Sequence, residues 1–204
     1  MSTDFMKSET RINLMKAFAG ESQARNRYTF AQEIALQQNY YVLSQIFKLT
    51  AYQEKEHAEI FYNLLKESAG KNVEITAGYP VDVYDGIDKL LLSAVSNENE
   101  EHETIYPAFA EIAKKEGFVK IASKFTLIAE IEKTHRERFD YFEKLLKQDK
   151  LFREDKTVRW MCLNCGHIHE SSEAPTVCPT CGKNQGYFIR ECEAPFISGG
   201  ILCQ

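Results

Sequence analysis

Two stretches, 50-TAYQEKEHAEIF-61 and 128-IAEIEKTHRERF-139, carry the same unit, a glutamate followed three residues later by a histidine. The composition and apolar spacing around both units favour an α-helix. Residues three apart lie on one face of a helix. Glu54 with His57, and Glu132 with His135, can therefore each offer one oxygen and one nitrogen ligand from a single turn. Such ligands suit a redox-active iron or manganese pair.

Helical periodicity extends over most of the first 150 residues. Apolar residues at steps of three and four predict helices from about 8 to 39, 41 to 68, 87 to 116 and 119 to 147. Pro107 should kink or locally unwind the third helix. Residues 70–86 lack the period and are interpreted as a long crossover. Glu21 and Glu54 are 33 residues apart and Glu98 and Glu132 are 34 apart, which suggests two repeated hairpins and hence a four-helix bundle with one crossover, residues 1–150.

Glutamates interrupt the inward apolar stripe of every predicted helix. Burying unpaired carboxylates costs several kcal/mol per ion, which is large against a typical stability of about 5–15 kcal/mol. Two ferrous ions supply four positive charges and two ferric ions six, which brackets the negative charge of the set. The sequence therefore predicts a dinuclear metal site that takes its carboxylates from Glu21, Glu54, Glu98, Glu101 and Glu132.

Two Cys-x-x-Cys pairs lie twelve residues apart in the C-terminal part, and a glycine follows each pair. Two such turns can present four thiolates to one tetrahedral ion, and the ligands alone leave zinc and iron open. We therefore predict a small metal domain over residues 156–204, with the ligands Cys162, Cys165, Cys178 and Cys181. Cys192 and Cys203 follow the two pairs and stand outside this pattern.

The chain has 204 residues and a formal charge of −5, without a basic cluster. Neither nucleic acid nor an anionic membrane would attract such a chain. The first residues lack the apolar core of a secretory signal, and no run approaches the ~20 apolar residues of a membrane span. A cytoplasmic location is expected. Thiols stay reduced there, which favours metal ligands over disulfides for the paired cysteines.

Six segments resemble rubrerythrin, a family with a ferritin-like di-iron bundle and a C-terminal rubredoxin-like domain. They are AGESQARNRY (19–28), EKEH (54–57), ENEEHETIYPAF (98–109), EIEKTH (130–135), WMCLNCGHIHE (160–170) and CPTCG (178–182). The bundle constellation, one Glu from each of two helices and Glu-x-x-His from each of the other two, is itself the known ferritin-like pattern. The resemblance implies two irons in the bundle and one iron on the four cysteines.

The resemblance also implies a function. Rubrerythrins are non-haem di-iron peroxidases that reduce hydrogen peroxide to water, with electrons from a rubredoxin or an NADH-linked reductase. It assigns as catalytic iron ligands Glu21, Glu54, Glu98, Glu101, Glu132, His135 and His57. Glu54 and Glu132 would bridge the irons, while Glu101 and His57 would alternate on one iron with redox state. A homodimer with exchanged elements is expected.

Three alternatives stay open from the sequence. A ferroxidase or iron-handling bundle would use the same helical ligands but would not need the four-thiolate module. A binding protein stabilised by two structural zinc sites is a second alternative, and oxygen in place of peroxide as the oxidant is a third. Tyr28 and Tyr106 fall on inward faces near the glutamates, where they are either core residues or hydroxyl donors to a carboxylate ligand.

Overall fold

Four long helical segments form the larger part of the molecule. The structure is a computed structural model and describes residues 3–194. The helices are α1 (Glu9–Gln37), α2 (Tyr41–Leu64), α3 (Ile87–Glu100), α4 (Tyr106–Lys115) and α5 (Val119–Lys147). A π-helical turn, Glu101–Ile105, joins α3 to α4 into one long segment. The predicted bundle of four helices with a crossover is therefore confirmed.

Two hydrogen-bonded caps fix the start of α1. Ser8 caps α1 by accepting a hydrogen bond from the Arg11 N–H at 3.1 Å. The Glu116 carboxylate, at the far end of α4, accepts the N–H groups of Glu9 at 3.0 Å and Thr10 at 2.8 Å. Negative charge is favourable at a helix N-terminus. This long-range cap ties the start of the first hairpin to the end of α4.

The second predicted helix ends earlier than expected. α2 stops at Leu64, and a 3₁₀ turn, Lys66–Ser68, follows before Gly70 adopts a positive φ of 76°. Residues 69–86, hereafter the crossover segment, contain neither helix nor strand and lead to α3. The expected break near Pro107 takes the form of the π turn that precedes it, because proline has no N–H to continue the regular pattern.

Apolar residues fill the bundle at both ends. One cluster includes Phe47, Leu91 and Phe139, and the other includes Leu14, Phe61 and Phe125. The buried polar side chains of the site belong to neither cluster and come from the middle parts of the helices. Apolar packing on both sides fixes the helices at that level.

The C-terminal part is a three-stranded antiparallel sheet in the order β2-β1-β3, with β1 Arg153–Cys162, β2 Ile168–Glu173 and β3 Phe188–Arg190. Trp160 and Phe188 are buried in its small core with Cys162 and Cys178. The C-terminal part is therefore a small domain that contains the paired cysteines, as predicted. The division into residues 1–150 and 156–204 stays a prediction. Cys203 and the rest of the tail beyond 194 lie outside the described residues.

The sheet domain packs against the turn between α1 and α2. The rings of Tyr41 and Tyr187 stack with centroids 4.0 Å apart, and Asn184 Nδ2 donates to Asn39 Oδ1 at 2.9 Å. A Cβ on Gly186 would lie 1.6 Å from the Asn39 carbonyl oxygen, so only glycine permits this approach. The two parts of the chain are therefore in close backbone contact.

Candidate metal centres

Four helices bring six side chains together in the middle of the bundle. The ligand atoms form two groups, one of Glu21, Glu54, His57 and Glu132 and the other of Glu54, Glu98, Glu132 and His135, and within each group they lie within 4.8 Å of one another. His57 is 5% exposed and the others are 0–1% exposed. Glu54 and Glu132 belong to both groups. Each group is a possible position for one metal ion, with these two carboxylates between them.

Short distances without hydrogen bonds mark this cluster. His135 Nδ1 lies 2.9 Å from Glu54 Oε1 and 2.9 Å from Glu132 Oε2, yet none of these three atoms has a hydrogen-bond partner. Two ligands about 2.1 Å from one ion, at about 90°, are about 3.0 Å apart. The spacing is therefore that of atoms arranged around a common cation, and the residues fit a metal.

The electrostatics of the metal-free cluster lead to the same conclusion. Burial, and then the charge of Glu54, raise the pKa of Glu98 to about 8. Burial and the charge of Glu132 raise the pKa of Glu21 well above its ordinary value. For His135, burial alone would lower the pKa, but the adjacent carboxylates of Glu132 and Glu54 outweigh it and raise the pKa to about 12. In the metal-free protein Glu98, Glu21 and His135 therefore keep protons that offset the negative charge of the buried carboxylates. Bound metal ions can replace these protons.

Two tyrosines donate hydrogen bonds into the cluster. The Tyr28 hydroxyl donates to Glu98 Oε1, and the Tyr106 hydroxyl donates to Glu21 Oε1. Burial raises the pKa of both hydroxyls, and the carboxylates of Glu98 and Glu21 raise them further. Both tyrosines therefore stay protonated and act as donors, which decides the alternative that the sequence left open. The second oxygens of Glu21 and Glu98 have no partner and remain available as ligand atoms.

Glu101 lies next to the cluster without joining either group. It is the first residue of the π turn and is partly exposed, whereas His57 is within the cluster. In a regular α-helix Tyr106 would lie about 80° around the axis from Glu98. Because the π turn widens this part of the helix, both residues are buried on the inner side.

His102 helps to hold the π turn against α5. Its Nδ1 lies 2.8 Å from the Ala129 carbonyl oxygen, and it is partly buried. The π turn itself was not foreseen, since its only sequence signal was Pro107 six residues beyond Glu101.

The four paired cysteines form the second cluster. Cys162 Sγ is 3.8 Å from Cys181 Sγ, and Cys165 Sγ is 3.7 Å from Cys178 Sγ. Disulfide sulfurs are about 2.05 Å apart. Four sulfurs about 2.3 Å from a central ion are about 3.8 Å apart along the edges of a tetrahedron. The geometry is therefore that of a four-thiolate metal site.

Backbone groups support the thiolates in both knuckles. The Lys183 N–H bonds to the Cys181 sulfur and lowers its pKa to about 6, and the His167 N–H bonds to the Cys165 sulfur. Gly166 and Gly182 have φ values of 76° and 73°, which close the two turns. Cys165 is exposed and Cys181 is partly exposed, so one side of this cluster faces solvent.

Comparison with known proteins covers both parts of the chain. The family described as Rubrerythrin matches residues 13–143 and 89–160, and the one described as Rubrerythrin, rubredoxin-like domain, matches residues 160–189. Rubrerythrin of Clostridium perfringens is 44% identical over 182 residues, which is 89% of this chain and 93% of that protein. Rubrerythrin of Nitratidesulfovibrio vulgaris is 38% identical over 181 residues, 89% of this chain and 93% of that protein.

Solved structures support the same relationship. Nigerythrin in its fully reduced, all-ferrous state matches with a TM-score of 0.61 at 29% identity, over 90% of this chain and 90% of that one. A bacterioferritin of Desulfovibrio desulfuricans, described with a diiron site, matches with a TM-score of 0.63 at 25% identity, over 70% of this chain and 82% of that one. Among the described residues, no helix is both long and apolar enough to cross a membrane.

The two clusters correspond to the two metal sites of these relatives. Rubrerythrins have a di-iron site and a rubredoxin-like site, and this chain contains one carboxylate and histidine cluster and one four-cysteine cluster. The predicted iron cofactors are thereby confirmed at the level of the family. Both parts of the chain match, and the identities exceed 30% over most of its length. The chain therefore belongs to the rubrerythrin family.

Proposed function

We propose that this chain is a non-haem di-iron peroxidase that reduces hydrogen peroxide to water as a defence against oxidative stress. One observation carries the proposal. A buried cluster with two overlapping ligand groups and a half-exposed four-thiolate cluster are present in one chain. The first suits two-electron chemistry on a small molecule, and the second suits transfer of single electrons.

The ligand assignment is part of this proposal. Glu54 and Glu132 would offer carboxylate oxygens to both irons, because they belong to both groups. His57 would be a ligand in one redox state, and Glu101 would take its place in the other. The remaining ligands are Glu21 and His57 on one side, Glu98 and His135 on the other, and Cys162, Cys165, Cys178 and Cys181 in the small domain.

The reaction consumes two electrons and two protons for each peroxide and yields two water molecules. When bound, the iron pair supplies those two electrons, one from each ferrous ion. The chain itself holds the carboxylates in place. The Tyr28 and Tyr106 hydroxyls fix Glu98 and Glu21 by hydrogen bonds and leave one oxygen of each for metal. Apolar residues at both ends of the bundle exclude bulk water from this level.

Cys162, Cys165, Cys178 and Cys181 would hold an iron that relays single electrons to the helical site. The exposed side of the cysteine cluster at Cys165 suits contact with a donor protein, for which a rubredoxin or an NADH-linked reductase is the expected class. The proposal includes a homodimer, with elements exchanged between subunits at the crossover segment or at the linker. A cytoplasmic location is also proposed, from the reduced state that four thiolate ligands require.

Stopped-flow absorbance tests the proposal. The iron-loaded protein is reduced without oxygen and mixed with one equivalent of hydrogen peroxide, and the thiolate-to-iron bands are followed. Rapid return of those bands is expected, since electrons then move from the four-cysteine iron to the oxidised pair. Bands that are absent or stay bleached over minutes would contradict the proposal.

The main rival is an iron-handling protein of the bacterioferritin kind, because the helical site has the same general construction. Steady-state turnover separates the two functions. A peroxidase consumes peroxide continuously when a reductant is present, and oxygen should be reduced more slowly. A ferroxidase instead consumes added ferrous iron. Zinc found in both sites would reject catalysis altogether.

A further inference from the structure

Burial of the helical cluster creates a requirement for an access route. Its six central side chains are at most 5% exposed. A small oxidant must nevertheless reach them if the proposed function is correct. Glu101 is partly exposed, so the surroundings of the π turn are the place to look.

A cavity of about 310 Å³ lies beside Glu101, between α1, the π turn with α4, and the crossover segment. Its lining includes Gly20, next to the ligand Glu21, and Tyr106, whose hydroxyl bonds to Glu21. A water molecule occupies about 30 Å³ of liquid. The cavity is therefore large enough for hydrogen peroxide and reaches residues that contact the cluster.

The crossover segment forms the outer wall of this cavity and is fastened to two helices. Tyr79 donates from its hydroxyl to the Lys16 carbonyl oxygen at 2.9 Å. Asp82 accepts from Arg27 of α1 at 2.5 Å and from Asn97 of α3 at 2.8 Å, and the Arg27–Asp82 pair is mostly buried. Residues 76–80, which line the cavity, are therefore held between two anchored points.

The lining of the cavity includes the polar side chains of Gln23, Glu101 and Thr104. Gln23 Nε2 is buried and has no hydrogen-bond partner, while the Oε1 of the same amide accepts from Arg27 Nε at 2.6 Å. That bond fixes the direction of the amide.

We propose that this cavity is the route by which the oxidant reaches the di-iron site, with Tyr79 and the crossover segment setting its width. The inference rests on the proposed peroxidase function and deepens it. It assigns to the crossover segment a role in selecting small hydroperoxides over bulky ones.

The test closes the cavity from the helical side. Thr104 is exposed on the π turn and lines the cavity, so Thr104→Trp can place an indole in it. Thr126→Trp is the matched control on an exposed position of α5. We expect the second-order rate constant for oxidation of the reduced protein by hydrogen peroxide to fall at least 10-fold in Thr104→Trp and to stay within 2-fold in the control.

A crystal structure of metal-free Thr104→Trp provides a readout that does not depend on activity, and we expect the indole to fill the cavity with the ligand cluster unmoved. An unchanged rate constant in a variant with a filled cavity would overturn the proposal. If wild-type protein itself fails to react with peroxide, the proposed function fails instead, and the two failures are thereby distinguished.

Widening the route gives an independent test. Tyr79→Ala removes the ring from the cavity wall and should raise the reactivity toward tert-butyl hydroperoxide relative to hydrogen peroxide at least 5-fold. The iron content should stay at the wild-type level, because the Tyr79 hydroxyl bonds to the Lys16 carbonyl oxygen rather than to a ligand. A ratio equal to that of wild type would reject a role for the crossover segment in selection.

Discussion

The two metal clusters of this chain are built in opposite ways. The helical cluster takes its ligands from four helices, between Glu21 and His135, and buries almost all of them. The cysteine cluster takes all its ligands from two short turns between Cys162 and Cys181 and exposes one side. The first therefore depends on the packing of the whole bundle, whereas the second depends on local backbone geometry.

This difference in burial decides which kind of reaction each site can support. A buried set of carboxylates keeps water away and holds its geometry, but needs cations to offset its charge. Thiolates in turns need only a few N–H groups, and their exposed side leaves them within reach of a donor. If this comparison is right, the two sites should respond differently to the same kind of perturbation.

Removal of one ligand from each site should have the largest effect. Glu54 belongs to both groups of the helical cluster, so Glu54→Ala should lose both irons of that site and keep the cysteine-bound iron. Cys165→Ser should lose only the cysteine-bound iron. Metal analysis together with visible absorbance measures both results.

The exposed Glu59 provides the control on the same helix, and Glu59→Ala should keep all three irons. Retention of the cysteine-site bands in Glu54→Ala would also show that the small domain has folded. Loss of all iron from Glu54→Ala would refute the independence of the two sites.

Proton linkage should give opposite signs for Glu98 of the helical cluster and Cys181 of the cysteine cluster in the metal-free protein. Burial raises the pKa of Glu98 to about 8. Between the ordinary pKa of a glutamate and pH 8, the folded state therefore keeps a proton that the unfolded state has lost. The pKa of His135 is raised to about 12, so above the ordinary pKa of a histidine this residue also holds a proton in the folded state that the unfolded state has lost. Both contributions make the free energy of unfolding fall as pH rises from 5.5 to 8.

Cys181 contributes with the opposite sign. The Lys183 N–H lowers the pKa of its thiol to about 6, so the folded state loses a proton that the unfolded state keeps, and stability rises with pH between about 6 and 9. Metal-free Cys181→Ser should therefore lose stability more steeply between pH 6 and 8 than metal-free wild type. Urea unfolding at several pH values measures this, and parallel curves would argue against the assignment.

The smallest effect is expected from one hydroxyl. Tyr106→Phe removes the donor to Glu21 and should lower the unfolding free energy of the metal-free protein by about 1 kcal/mol, since a buried acceptor loses its partner. Tyr141→Phe is the comparison, because its hydroxyl bonds to Glu193 at a more exposed place. Chemical denaturation measures both, and a larger loss in Tyr141→Phe would contradict the ranking.

Much of the fold and of the candidate site could be predicted from the sequence, because both depend on local spacing. The period of apolar residues located the helices, and the interruptions by Glu21 and Glu98 marked two glutamates that are buried in the helical cluster. The knuckle spacing identified the cysteine cluster for the same reason. In each case the relevant information lies within one or two turns of chain.

Features that depend on distant contacts could not be predicted. The π turn depends on packing against α5, where His102 meets the Ala129 carbonyl oxygen. The cap of α1 by Glu116 joins residues more than one hundred positions apart. The hydroxyl directions of Tyr28 and Tyr106 were undecided for the same reason, since periodicity places a residue on a face but does not identify its partner.

The contact of Gly186 with the Asn39 carbonyl oxygen has a consequence for sequence change in this chain. Asn39 is in the left-handed region, with a φ of 64°, at the turn where α1 ends. Because one position must lack a side chain and the other must hold an unusual backbone shape, a change at either alters the fit between the two domains. Any side chain at Gly186 would therefore push the small domain away from the bundle turn, whereas Asn39→Gly would keep the backbone contact because glycine also adopts a positive φ.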